Sequence, residues 1–152
     1  NLHLYQILRC CQMNEKFYDQ LNQRSKAEPY GKLLGMEVIE IKEGHSLVRM
    51  RVQPGLQNIF GSTHGGALFS LIDEAFQLAC NTHGVLSVAL NVSITYMASP
   101  SSNALLEARA TEVNRTNRTS SYYCELREVD NGKLIAVAQA LAYRTGKTLD
   151  FS

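Results

Sequence analysis

Two hydrophobic periods divide this chain. From residue 65 to 82 the apolar side chains recur three and four apart: Leu68, Leu71, Ile72, Ala75, Phe76 and Ala79. At about 100° per residue they share one broad face, with Ser70, Asp73, Glu74, Gln77 and Asn81 opposite. That pattern predicts one long helix in the body of the chain. Ser62 or Thr63 is expected to cap its start and Gly84 to close its end. A period of two appears in residues 45–53, where Leu47, Arg49 and Arg51 lie on one face and Val48, Met50 and Val52 on the other, which predicts a half-buried strand. Val38, Ile39 and Ile41 begin an earlier strand, Glu43-Gly44 is a turn, and Pro54-Gly55 is a break. Strand-like runs follow at 86–98, 103–114, 119–130 and 133–144, the last two joined by Asp130-Asn131-Gly132-Lys133, a hairpin signal. Ala136, Ala138, Ala140 and Ala142 give the final strand a face of small residues that a helix can approach closely. Residues 14–25 predict a further helix with Phe17, Tyr18 and Leu21 on one side, and Gly31 to Leu34 reads as a turn. The order is helix, two strands, long helix, four strands. It predicts an α+β layout with one antiparallel sheet around one central helix.

A length of 152 residues fits one domain with a real core. Residues 13–152 are taken as that domain. Met13 opens a plausible native start, so residues 1–12 (NLHLYQILRCCQ) read as an upstream or vector-derived segment. A net charge of +1 gives no whole-protein field for nucleic acid or an anionic membrane. No apolar run approaches the ~20 residues that cross a bilayer. Cys10, Cys11, Cys80 and Cys124 match neither a disulfide framework nor zinc-ligand spacing, which points to a reducing cytoplasm. His3, His45 and His83 are scattered away from acidic partners at ligand spacing, so no metal is expected.

The chemistry-bearing stretch runs from Asn58 to Asp73, NIFGSTHGGALFSLID. A helix N-terminus presents unpaired N–H groups and partial positive charge, suited to an oxygen that becomes an anion during reaction. Gly65 and Gly66, lacking a Cβ, let a substrate approach the backbone. Asp73, two turns into the helix, is a base or nucleophile for the same reaction. Read singly, each residue also has a plain role. A polar stripe ordinarily faces water, His64-Gly65-Gly66 makes a tight turn, Asn58 bonds its own loop, and Arg115 and Arg118 sit at a solvated loop tip.

Taken together, these residues carry a resemblance. From about residue 30 to 145 the chain resembles the hotdog-fold acyl-CoA thioesterases of the phenylacetate-degradation (PaaI) type. The resemblance lies in Asn58, Gly61, His64-Gly65-Gly66, Phe69 to Asp73, Ala75, Ala79-Cys80-Asn81, Gly84, Ile94-Thr95-Tyr96, Pro100 and Gly132 to Ala136. It implies a curved antiparallel sheet around the central helix, homodimers that pair sheet edges, dimers of dimers, and active sites at the dimer interface. Asp73 of one protomer is then the base or nucleophile, the Gly65 N–H of the other receives the thioester oxygen, and Asn58 positions water or the acyl group. His64 and Gly66 shape the turn. Asn91, Tyr96, Met97 and the turn Asn114-Arg115-Thr116-Asn117-Arg118 are the candidates for holding the acyl-CoA. No cofactor is implied. Some relatives carry a serine on the strand after the helix, where this chain has Ala89. The His-Phe-Pro run that hotdog dehydratases resemble is absent. A non-catalytic acyl-CoA-binding protein on the same fold is the alternative.

Overall fold

The computed structural model describes residues 2–151, with side chains described from Asn14 onward. Helix α1 spans Leu2–Ala27 and α2 spans Pro29–Leu34. Strands β1 (Glu37–Lys42) and β2 (His45–Arg51) follow, then a 3-10 turn at Pro54–Leu56 and helix α3 (Gly65–Asn81). Strands β3 (Val85–Tyr96), β4 (Leu105–Arg115), β5 (Thr119–Glu128) and β6 (Leu134–Thr148) complete the order. The six strands form one sheet in the order β1-β2-β4-β5-β6-β3, every neighbouring pair antiparallel. It wraps α3, which is the hotdog arrangement.

The alternation in β2 is observed as predicted: Ser46, Val48 and Met50 are buried and Arg51 is exposed. Each of the six residues assigned to the apolar face of α3 is at most 3% exposed. Phe76 meets Tyr122 edge to face at 5.4 Å between ring centroids. Burying one such side chain stabilises the fold by roughly 1.5–3 kcal/mol. The alanines of β6 are also buried, so the helix sits close to that strand. Ser46 Oγ donates to the Ala75 carbonyl at 2.5 Å and ties β2 to α3.

Two local expectations are corrected. The helix expected at 14–25 is part of the longer α1, which begins at Leu2 and so runs through most of the segment set aside as upstream. The turn expected at Gly31 to Leu34 is helix α2. Pro29 stands at its first turn, where a missing N–H costs nothing. Gly35 ends it at φ 68°, its N–H bonding back to Gly31 and Lys32 carbonyls.

The two sheet edges differ. β1 has 6 residues, a register shift between Val38 and Glu40, and charged Glu37, Glu40 and Lys42. Those are features that blunt an edge. β3 has 12 residues and pairs with β6 alone. It leaves Val88 and Leu90 about half exposed, at 47% and 56%.

Candidate active site

The site begins at the entry to α3. His64 is the N-cap residue, in extended conformation, and its Nδ1 accepts the Gly66 N–H at 2.8 Å. This corrects the expectation that Ser62 or Thr63 caps the helix. It also fixes the His64 tautomer, since an accepting Nδ1 leaves the ring proton on Nε2. The Ala67 and Leu68 N–H groups bond the His64 carbonyl. The Gly65 N–H has no partner among the described residues, so it remains a free donor at the positive end of the helix.

The glycines are explained by protein neighbours. A Cβ on Gly65 would lie 3.3 Å from the Tyr96 ring, and one on Gly66 would lie 3.0 Å from His64 Nδ1. Tyr96 Oη donates to the Gly65 carbonyl at 3.0 Å. Tyr96 therefore clamps the first turn of α3. Asn58 organises the preceding loop: its Oδ1 accepts the Phe60 N–H at 2.9 Å and the Ser62 N–H at 3.1 Å, and Gly61 turns at φ 77°. Its amide nitrogen has no partner among the described residues. The loop pushes Ile59 and Phe60 outward, 92% and 83% exposed.

Asp73 lies two turns further along α3 and is half-buried. No donor or cation among the described residues bonds its carboxylate. Burial raises its pKa above the ordinary carboxylate value, and the negative charge of Glu28 adds to the rise. Glu74, assigned to the polar stripe, is in fact 7% exposed. It accepts Ser25 Oγ of α1 at 2.5 Å and Gln77 Nε2 at 3.2 Å. Burial, chiefly, raises its pKa to about 7. Asn81 is buried as well, its side chain exchanging hydrogen bonds with the Ser87 backbone at 2.9 and 3.1 Å. So the polar stripe splits: Glu74 and Asn81 are enclosed by α1 and β3, while Asp73 keeps an opening.

The remaining residues are not all brought here. Met97 adjoins Tyr96 and is 56% exposed. Asn91 pairs with Leu141 on the sheet face away from α3, beside Val113 and Tyr123 in a cavity of about 600 Å³. The turn Asn114 to Arg118 lies at the opposite end of the sheet from Gly65. Tyr96 pairs with Ala136, whereas Val88 pairs with Tyr143 and Tyr143 with Thr119. Eight residues of strand span roughly 26 Å. Within that turn Arg115 is bound to Glu112 at 3.3 Å, and the Thr116 hydroxyl is used up by Arg118 and Thr119. Asn114, Asn117 and Arg118 are exposed.

The Thioesterase superfamily model matches residues 60–135. A putative esterase of Archaeoglobus fulgidus is 40% identical over 136 residues, covering 90% of this chain and 86% of its own length. This chain belongs to the thioesterase superfamily. Its place on the PaaI branch follows from two further likenesses. The acyl-coenzyme A thioesterase PaaI of Escherichia coli K12 is 30% identical over 137 residues, 90% of this chain and 97% of that one. The solved structure of E. coli PaaI superposes with a TM-score of 0.79, covering 86% and 96% of the two chains at 30% identity. A more distant structure, smu.793 from Streptococcus mutans bound to acetyl CoA, has a TM-score of 0.71 at 25% identity, covering 74% and 90%. The protein is thus a thioester hydrolase.

Eight residues of helix place Asp73 about 12 Å beyond Gly65 along the axis. A reacting carbonyl must sit about 3 Å from both an oxyanion donor and the attacking group. These two groups of one chain cannot serve one thioester. Sequence reasoning missed Ser25, Glu28 and Tyr30, which face the same stripe. Tyr30 Oη and Ser70 Oγ are 2.7 Å apart, and Ser70 Oγ donates to the Gly66 carbonyl. Only the polar positions of α3 itself hinted at such partners. Nothing in the periodicity tells which elements cover them.

Proposed function

We propose that the protein hydrolyses acyl-CoA thioesters in a site completed by two chains. The observation that carries this is the Asp73 carboxylate, half-buried and unpaired, on the helix whose N-terminus leaves the Gly65 N–H free. The thioester carbonyl oxygen of one site receives the Gly65 N–H of one protomer. The partner's Asp73 takes a proton from water as the water attacks the carbonyl carbon, or attacks that carbon itself and is released by water. The tetrahedral oxyanion is held by the helix N-terminus, and its collapse expels the CoA thiolate, which is reprotonated. The free amide nitrogen of Asn58 is available to orient water or the acyl carbonyl.

The open β3 edge supports the two-chain reading. An apolar, unpaired strand of this length is covered by pairing in stable proteins. Antiparallel pairing of two β3 strands turns the second chain end for end. It brings the partner's Asn114 to Arg118 turn toward the Tyr96 end, where Arg118 can meet a CoA phosphate. The Ile59-Phe60 loop also gains a surface to cover it. Val113, Tyr123, Leu141 and Tyr143, exposed on the outer sheet face, suit a second dimer. The protein is placed in the cytoplasm, where Cys80 and Cys124, both buried, stay as free thiols.

The test is thiol release from acyl-CoAs by Asp73→Asn. Losing a general base typically lowers the rate by about 10²–10⁴-fold, and that loss is expected here with the fold intact by circular dichroism. Near wild-type turnover would remove Asp73 from the chemistry.

A further inference from the structure

The α1–α2 junction sets one charged side chain in an unusual position. Glu28 occupies the N-cap of α2, yet its side chain makes no capping bond. Glutamate is poorly built for capping, because its longer stem carries the carboxylate past the N–H groups that Ser, Asp or Asn reach. Instead the carboxylate reaches across to α3, where Gln77 Nε2 donates to Glu28 Oε2 at 3.3 Å and to Glu74 Oε2 at 3.2 Å. Gln77 is four residues beyond Asp73 and three beyond Glu74, so all three share one face of α3. One amide thus gathers carboxylates from two elements onto the stripe that holds Asp73.

We infer that Glu28 is a positioning residue for the proposed hydrolysis: Gln77 holds its carboxylate over the α3 stripe that carries Asp73, so that its charge bears on the proposed base. This rests on the reading of Asp73 as the group that must be ionised for reaction.

Two carboxyls next to Asp73 carry the adjustable charge, Glu28 and Glu74. On α3, Glu74 is buried and bound to Ser25, its pKa raised to about 7 by burial first and by Glu28 and Asp73 after it, and Cys80 is a buried thiol. From β5 comes Cys124, also buried. Both thiols are held neutral, burial pushing each pKa up to about 12. From α1, Arg24 shares a cavity with Glu28 but lies over the Phe151 ring at 5.5 Å from its centroid. No cation among the described residues is paired with Glu28, Asp73 or Glu74. A negative neighbour disfavours the ionised form of a carboxyl and so strengthens it as a base. A base nearer the working pH transfers protons more efficiently. The direction of the Asp73 shift, with burial first and Glu28 second, agrees with this geometry.

The experiment is the pH profile of kcat/KM for acyl-CoA hydrolysis by wild type, Glu28→Gln, Glu28→Asp and Glu74→Gln. In Glu28→Gln the acid limb moves to lower pH and the plateau falls by about 2- to 5-fold. Glu28→Asp, which keeps the charge, keeps the limb near its wild-type position. Added salt moves the wild-type limb toward that of Glu28→Gln, because a half-exposed charge is screened. Three results overturn the inference: an unmoved limb in Glu28→Gln, an equal loss at every pH, or a limb that vanishes in Glu74→Gln. The first two make Glu28 a merely structural contact, and the third assigns the limb to Glu74. Asp73→Asn separates the two levels. If it stays active, the catalytic reading itself falls, whereas an inactive Asp73→Asn beside an unmoved Glu28→Gln limb refutes only the role of Glu28.

Discussion

Glu74 makes stability depend on pH in a direction opposite to that of an ordinary paired carboxylate. Its side chain is buried between α3 and α1, with donors from Ser25 and Gln77 and no cation. Burial raises its pKa from 4.5 to about 7. The folded state therefore keeps a proton that the unfolded chain releases. Its contribution to stability is present in full below 4.5 and is lost as pH rises through about 7. One pKa unit corresponds to about 1.4 kcal/mol, so the full loss is roughly 3–4 kcal/mol, of which roughly 2–3 kcal/mol falls between pH 5 and pH 8. Glu74→Gln has the same shape and cannot ionise. It keeps the Ser25 hydrogen bond and gives up at most the one from Gln77, an offset of about 1 kcal/mol that does not vary with pH. Relative to wild type the variant should gain about 5–10 °C in Tm between pH 5 and pH 8, given about 2–4 °C per kcal/mol for a chain of this size. Thermal melts of both proteins over that range measure it. Taking the difference cancels the contribution of His45, whose pKa burial lowers. Parallel Tm curves would show that Glu74 is ionised in the folded protein across the whole range and would refute the reasoning.

Three further outcomes are expected. Inactive Asp73→Ala and inactive Asn58→Ala proteins, mixed and allowed to exchange subunits, should regain activity in mixed dimers; a fully active monomer by light scattering excludes a shared site. Arg118→Ala should raise KM for acyl-CoA with kcat nearly unchanged, and should leave a short acyl-N-acetylcysteamine unaffected. Arg115→Ala should act mainly on stability through Glu112, and equal effects of Arg118→Ala on both substrates would place that residue outside the CoA site. Ala140→Leu should destabilise the fold by about 1–3 kcal/mol by overpacking the β6 face against its surroundings, read as a lower denaturation midpoint, and an unchanged midpoint would mean that face has room to spare.

The sequence by itself determined the six strands and the central helix, while α2 was read as a turn. A period of two marked β2 and a period near four marked α3, because each must bury one face and expose the other, and apolar runs between turn signals marked the other strands. The turn residues Gly44, Gly84 and Gly132 adopt positive φ, which few other residues tolerate, so they could be placed from residue type alone. Asp73 and the free helix N-terminus at Gly65 were likewise legible, since both depend on position within one helix. Tertiary structure decided what covers what. Glu74 and Asn81 carry the same polar signal as Asp73, yet α1 and β3 enclose them, because a helix stripe has no means of encoding its distant neighbours. Gly65 and Gly66 were read as room for substrate, and the folded chain fills that room with Tyr96 and His64. Arg115 and Arg118 looked like a matched pair, but Glu112, three residues before Arg115 on β4, engages one and leaves the other. The distance between Gly65 and Asp73 was implicit in eight residues of helix. The rigid helix keeps the two groups of one chain about 12 Å apart, and the proposed second chain would come in at the open edge of β3.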